Sequence, residues 1–109
     1  MRYAASTDDN QGEIVDFFRK VGFSVECIHS VGGGVPDLLL GLRNFNFLVE
    51  VKDGKKIPSK RRLNPAQIDW HEMWKGQKII ITSLDEAIDW SNHTKEQIHK
   101  IIAAGVSFQ

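Results

Sequence analysis

Asp37, Glu50 and Lys52 are charged residues set at or near the ends of two otherwise apolar runs, Leu38-Leu39-Leu40-Gly41-Leu42 and Phe45-Asn46-Phe47-Leu48-Val49-Glu50-Val51. Charge in such runs is costly unless it is paired or binds something. Side chains alternate along a strand, so Glu50 and Lys52 share a face. A hairpin with an even loop brings Asp37 to that same face. A loop at Asn44-Phe45 sets Asp37 opposite Lys52, and one at Arg43-Asn44 sets it opposite Glu50. An odd loop would separate them. Two carboxylates a few ångströms apart repel unless a cation lies between them. Hard oxygen ligands suit Mg²⁺ or Mn²⁺ and leave coordination positions for water and phosphate. A lysine beside them can hold the attacking water or stabilise charge building on phosphate, and the metal lowers the water pKa. That chemistry is phosphodiester hydrolysis. The structural alternative is a plain ion pair of Lys52 with Glu50 or Asp37.

The segment downstream fits a phosphate partner. From Lys52 to Arg62 stand six basic residues (Lys52, Lys55, Lys56, Lys60, Arg61, Arg62) and one acid, a net of +5 in a chain whose overall charge is +0. Zero net charge alone argues against a nucleic-acid binder, but a local basic loop can still seat a phosphate backbone. Upstream, Gly33 and Gly34 within the run Gly32-Gly33-Gly34 either let a DNA backbone approach closely or make a turn. They match no phosphate-loop pattern with its lysine.

At 109 residues, 41% apolar and 26% charged, the chain suits one soluble domain spanning 1–109. No apolar run is long enough to cross a bilayer, and the N-terminus has no apolar signal core. Cys27, the only cysteine, is expected as a buried inert thiol. These features point to a cytoplasmic protein.

The elements that must position the charged residues can be read from patterning. Residues 1–7 form a loose arm. Ile14, Val15, Phe17, Phe18 and Val21 make an apolar stripe on a helix from about Asp9, capped by Asp8 or Asp9 and stopped at Gly22. Phe23 to Ser30 reads as a strand, followed by the glycine loop. The next two strands, Asp37 to Leu42 and Phe45 to Lys52, are apolar on both faces, which predicts cover on both sides. Asp53 to Asn64 is the basic loop. Asn64-Pro65-Ala66-Gln67 opens a helix to Lys75 with an N-cap, a first-turn proline and a glutamine three residues on. Lys78 to Thr82 is a strand, Ser83 caps a short helix, and Thr94 starts a last one, so that 91–109 is a C-terminal helical extension. The order α-β-β-β-α-β-α-α gives an α/β fold, a mixed central sheet flanked by helices. Trp70, His71 and Trp74 share a helix face with Gln67 and are expected as core and rim rather than as a stacking platform for bases.

Gly34-Val35-Pro36-Asp37 followed by Val49-Glu50-Val51-Lys52 resembles the PD-(D/E)xK nuclease signature. More narrowly it resembles the VRR-NUC group of small stand-alone nucleases of bacteriophages and bacteria. Asn10-Gln11-Gly12-Glu13-Ile14-Val15 is similar to that group's opening motif, and Gly54 with Ser59 to Gln67 resembles its loop and glutamine-bearing helix. The likeness spans about Asp9 to Ile88. It implies a restriction-endonuclease-like core, cleavage of DNA with Mg²⁺ or Mn²⁺, a preference for branched DNA such as four-way junctions, and a homodimer. Carried onto this chain, Asp37, Glu50 and the Val51 carbonyl would be metal ligands and Lys52 the catalytic lysine. Glu13 would be an auxiliary acid and metal ligand, and Gln67 a supporting residue. Lys55, Lys56, Lys60, Arg61 and Arg62 would meet the DNA. The competing reading is a non-catalytic nucleic-acid-binding accessory protein that uses the basic loop.

Overall fold

A computed structural model describes residues 8–106; the expected N-terminal arm lies outside the described residues. The elements run α1 (Gln11–Lys20), β1 (Ser24–Cys27), a single 3₁₀ turn (His29–Val31), β2 (Leu38–Leu42), β3 (Phe45–Val51), α2 (Pro58–Arg61), α3 (Pro65–Met73), β4 (Lys78–Ile81) and α4 (Leu84–Ala103). They build one mixed sheet in the order β1-β2-β3-β4. The first three strands are antiparallel neighbours and β4 lies parallel to β3.

The hairpin fixes everything that follows. Arg43 and Asn44 both take positive φ, 49° and 72°, the left-handed geometry a two-residue hairpin turn requires. Leu42 therefore faces Phe45, and Leu38 faces Val49. On one face this register lines up Leu38, Leu40, Phe47, Val49, Val51 and Ile81, all buried. Helix α1 closes over them with Ile14, Val15 and Phe18, a stripe at helical spacing. Helix α4 adds Ala87, Ser91, Thr94 and Ile98. Trp90 packs edge-on against Phe18 and Phe47, at centroid distances of 5.8 and 5.0 Å.

The opposite face is only partly covered. The apolar runs predicted cover on both sides, yet Leu39 and Leu48 are half-exposed and Ile80 is 41% exposed. Helix α3, whose end reaches Leu39 and Leu48 through Trp74, has no buried residue. Apolar residues on both faces record what a strand can tolerate, whereas among the described residues α1 and α4 bring buried apolar faces to one side. Cys27 departs from expectation for a related reason. It ends the edge strand β1 and is exposed.

Two helical boundaries also differ. The basic loop contains the short helix α2, started by Pro58, since proline's fixed φ suits the first helical turn. The two C-terminal helices are one continuous α4. Ser83 caps it by accepting from the Glu86 amide at 3.1 Å. Thr94, read as a second cap, instead lies buried on the inner stripe; no glycine or proline between 84 and 103 interrupts the helix. Helix α1 starts at Gln11, with Asn10 rather than Asp8 or Asp9 at its cap position.

Candidate active site

Extending the hairpin register by one residue past Leu38 and Val49 places Asp37 across from Glu50. Asp37 lies just outside β2, but its carbonyl still accepts from the Ile28 amide at 2.7 Å, which holds the backbone in line. Its side chain is fixed too: Oδ2 accepts from the Val51 amide at 2.7 Å. One further step in the same register sets Pro36 across from Val51. Proline has no N–H, so it has no donor to offer the Val51 carbonyl. Two oxygens of the expected ligand set, one from Asp37 and one from Val51, are thus arranged by the same short stretch of sequence.

Glu50 is 2% exposed, and its Oε1 is buried with no hydrogen-bond partner among the described residues. Burial raises its pKa most. The Asp37 carboxyl, within hydrogen-bonding reach, raises it further, Lys52 pulls it back, and the field of Asp8 adds to the rise; the result is about 9. A carboxyl this unwilling to ionise, with an orphaned oxygen and a second carboxyl beside it, is one that a nearby cation would favour in its charged form. The donors are all hard oxygens, which fits a small divalent cation. Among the described residues no group of three His, Cys, Asp or Glu side chains stands together, so the arrangement is two carboxylates plus backbone.

Lys52 shares the face of Glu50 and is 9% exposed. Its Nζ donates to Gln67 Oε1 at 3.0 Å. The same oxygen accepts from the Asn64 amide at 2.9 Å, while Asn64 Oδ1 accepts from the Gln67 amide at 2.9 Å. The capping box of α3 is therefore also the clamp on Lys52. The cap of α1 does a comparable job. Asn10 makes no side-chain cap; its Nδ2 donates to the carbonyls of Lys52 and Thr82, both at 3.2 Å, tying α1 to the ends of β3 and β4.

The other expected residues fall in different places. Glu13 is exposed on α1 and lines a cleft with Asp9, Asp53, Lys55 and Asp85, and neither Asp37 nor Glu50 lines that cleft. The acid whose field reaches Glu50 is Asp8, which pairs with Lys56 Nζ at 3.5 Å. In the sequence Asp8 reads as a helix cap, and its place just ahead of the first helix is the signal that marks it. Lys55, Lys60, Arg61 and Arg62 are exposed, and Lys56 is half-exposed. Gly34 has φ +84°, and a Cβ there would overlap the Ala66 carbonyl of α3. Gly33 has open space around it. The glycine loop thus docks on α3 through Gly34. Gly34→Ala should lower stability by about 1–3 kcal/mol, read as a lower urea midpoint; an unchanged midpoint would mean that the loop does not depend on this contact.

The mixed four-stranded sheet with its flanking helices is a restriction-endonuclease-like fold. A solved structure described as a VRR_NUC domain is similar over 76% of this chain and 90% of its own, at 27% identity and a TM-score of 0.60. That likeness supports the VRR-NUC family for this chain, in agreement with the order of its motifs, and points to a nuclease-type domain. No protein-family model matches the chain, and no curated protein does.

Proposed function

We propose that the chain is a divalent-metal-dependent endonuclease that hydrolyses DNA phosphodiesters, with branched DNA as its preferred substrate and a homodimer as its working form. The observation that carries this reading is the buried Glu50, its Oε1 unpartnered, across the hairpin from Asp37 and one alternation from Lys52. Asp37, Glu50 and the Val51 carbonyl would hold Mg²⁺ or Mn²⁺, with Asp8 adding negative field. When bound, such an ion lowers the pKa of water and polarises a phosphoryl oxygen.

The chain's own residues supply the rest. Lys52 has three N–H donors, and one is spent on Gln67. The remaining two can orient the attacking water and stabilise charge on the phosphate. In hydrolysis the water oxygen bonds phosphorus, the bond to the leaving sugar oxygen breaks, and that oxygen takes up a proton. Because Gln67 Oε1 is itself held by the Asn64 amide, the lysine is positioned before substrate arrives, which reduces reorganisation during the reaction.

The preference for branched DNA and the homodimer rest on the VRR-NUC likeness. A synthetic four-way junction should be cut faster than a linear duplex of the same arm sequence, and the protein should sediment as a dimer. Equal rates on the two DNAs would remove the structural preference. The basic segment makes a separate prediction. Replacing Lys60, Arg61 or Arg62 singly should reduce the slope of log affinity against log salt by about one unit; an unchanged slope would leave that segment as solvated surface.

A further inference from the structure

Helix α3 presents an aromatic pair that the catalytic arrangement does not use. Trp70 and Trp74 stack with centroids 5.1 Å apart and planes at 16°, and Trp74 is 43% exposed and Met73 76%. The sequence pattern places Trp70 and Trp74 in the core and rim, but α3 buries nothing. The pair is nonetheless held in place. His71 meets Trp70 edge-on at 5.2 Å, and a Cβ at Gly76 would come within 2.7 Å of Trp74 Nε1, so glycine lets the indole lie where it does without shifting. A cleft of about 500 Å³ lies beside the pair, lined by Gly33, Ala66, Asp69, Trp70, Met73 and Trp74. The glycine loop and the aromatic face, two separate features of the sequence, therefore form one site.

We propose that this cleft seats an unpaired nucleobase of the DNA strand, stacked against Trp74; the proposal rests on the nuclease reading and specifies its substrate as DNA with unpaired bases beside the cut. Three observations favour a base over other occupants. The only charged side chain lining the cleft is Asp69, which repels a phosphate but accepts from the exocyclic amino group of a base. A rigid indole stack is sequence-tolerant, because every base has a π-face. The cleft is also tied to the reaction centre at both ends: Gly33 stands shortly before Pro36-Asp37 in the chain, and Gln67, on the same helix as Trp70, holds Lys52. Along the helix axis, Gln67 and Trp74 are separated by roughly 10 Å, the length of about three nucleotides of strand. The basic segment ending at Arg62 immediately precedes α3 and supplies phosphate contacts next to the base site.

The test is equilibrium binding of the full chain, in EDTA so that no strand is cut, to a blunt duplex and to the same duplex with a short single-stranded overhang. Trp74→Ala should weaken binding to the overhang DNA about 5- to 100-fold and change blunt-duplex binding by less than about twofold. Trp74→Phe, which keeps a π-face, should remain close to native, while Trp74→Leu, which keeps only apolar bulk, should behave like the alanine variant. This comparison holds even if the alanine variant folds poorly. Equal losses on both DNAs, or a leucine variant as good as the phenylalanine one, would overturn the stacking proposal. So would a change in sedimentation from dimer to monomer on replacing Trp74, which would assign the face to a second copy. Failure of the wild type to bind either DNA would defeat the nuclease reading itself.

Discussion

Lys52→Ala should fold, bind a divalent cation and DNA, and cut with a rate reduced about 10³-fold or more. Removing one preorganised donor at a developing charge commonly costs 10²–10³ in rate, and Lys52 offers more than one donor. The fold should survive because the ammonium group's one hydrogen bond goes to Gln67 Oε1, which keeps the Asn64 amide as a partner. The separation of binding from cutting is the informative part. If Lys52 were simply one half of a buried ion pair, its loss would leave Glu50 uncompensated and cost stability instead. A Lys52→Ala protein that melts far below wild type, or one that cuts at the native rate, would argue for the structural reading. Gln67→Ala should give a smaller loss in rate with substrate binding intact, since the lysine would remain but lose its clamp.

The second large effect is a pH dependence of the metal-free protein. The Glu50 carboxyl sits near 9 when folded against 4.5 as a free side chain. Below about pH 4.5 both states hold the proton, and its contribution to stability is complete. As pH rises towards about 9, the unfolded chain gives the proton up while the folded one retains it, so stability falls across that window. Glu50→Gln should flatten this fall and, at pH 8, raise the metal-free stability by about 1–3 kcal/mol while abolishing cleavage, a trade common at catalytic sites. Mg²⁺ should protect the wild type more at pH 8 than at pH 5, because ligand carboxylates must be deprotonated to bind it. Urea unfolding at several pH values, with and without Mg²⁺, measures all of this. Equal pH profiles for the wild type and Glu50→Gln would mean that Glu50 is not the group under strain.

The sequence carried the hairpin and the pairing parity well. Alternation in Leu38–Leu42 and Phe45–Val51 set the faces, and the Arg43-Asn44 turn, one of two even loops considered, put Asp37 across from Glu50. The stripe on α1 and the Asn64–Gln67 box were likewise local patterns with local causes. What escaped was long-range. Nothing in the spacing of Asp8 tells that its field reaches Glu50 while its carboxylate meets Lys56. Asn10 resembles an ordinary cap, yet its amide is spent on two strand ends 42 and 72 residues away. Thr94 resembles a helix start because Ser and Thr serve both as caps and as small buried residues, and only the packing of α4 on the core decides between them. The half-open sheet face was hidden for a similar reason. Apolar residues on both faces show where a strand could be covered, whereas coverage depends on how many apolar helix faces the chain can bring to it.

Asp37→Asn probes the metal site with little other disturbance, because an asparagine oxygen can still accept from the Val51 amide that Asp37 Oδ2 now holds. The most direct measurement is therefore nicking of a supercoiled plasmid by the wild type and Asp37→Asn, side by side, in Mg²⁺ and again after chelation with EDTA. The expected result is nicking by the wild type in Mg²⁺ alone. Cutting by Asp37→Asn at the wild-type rate, or cutting that persists without a divalent ion, would contradict a reaction centred on a cation held between Asp37 and Glu50.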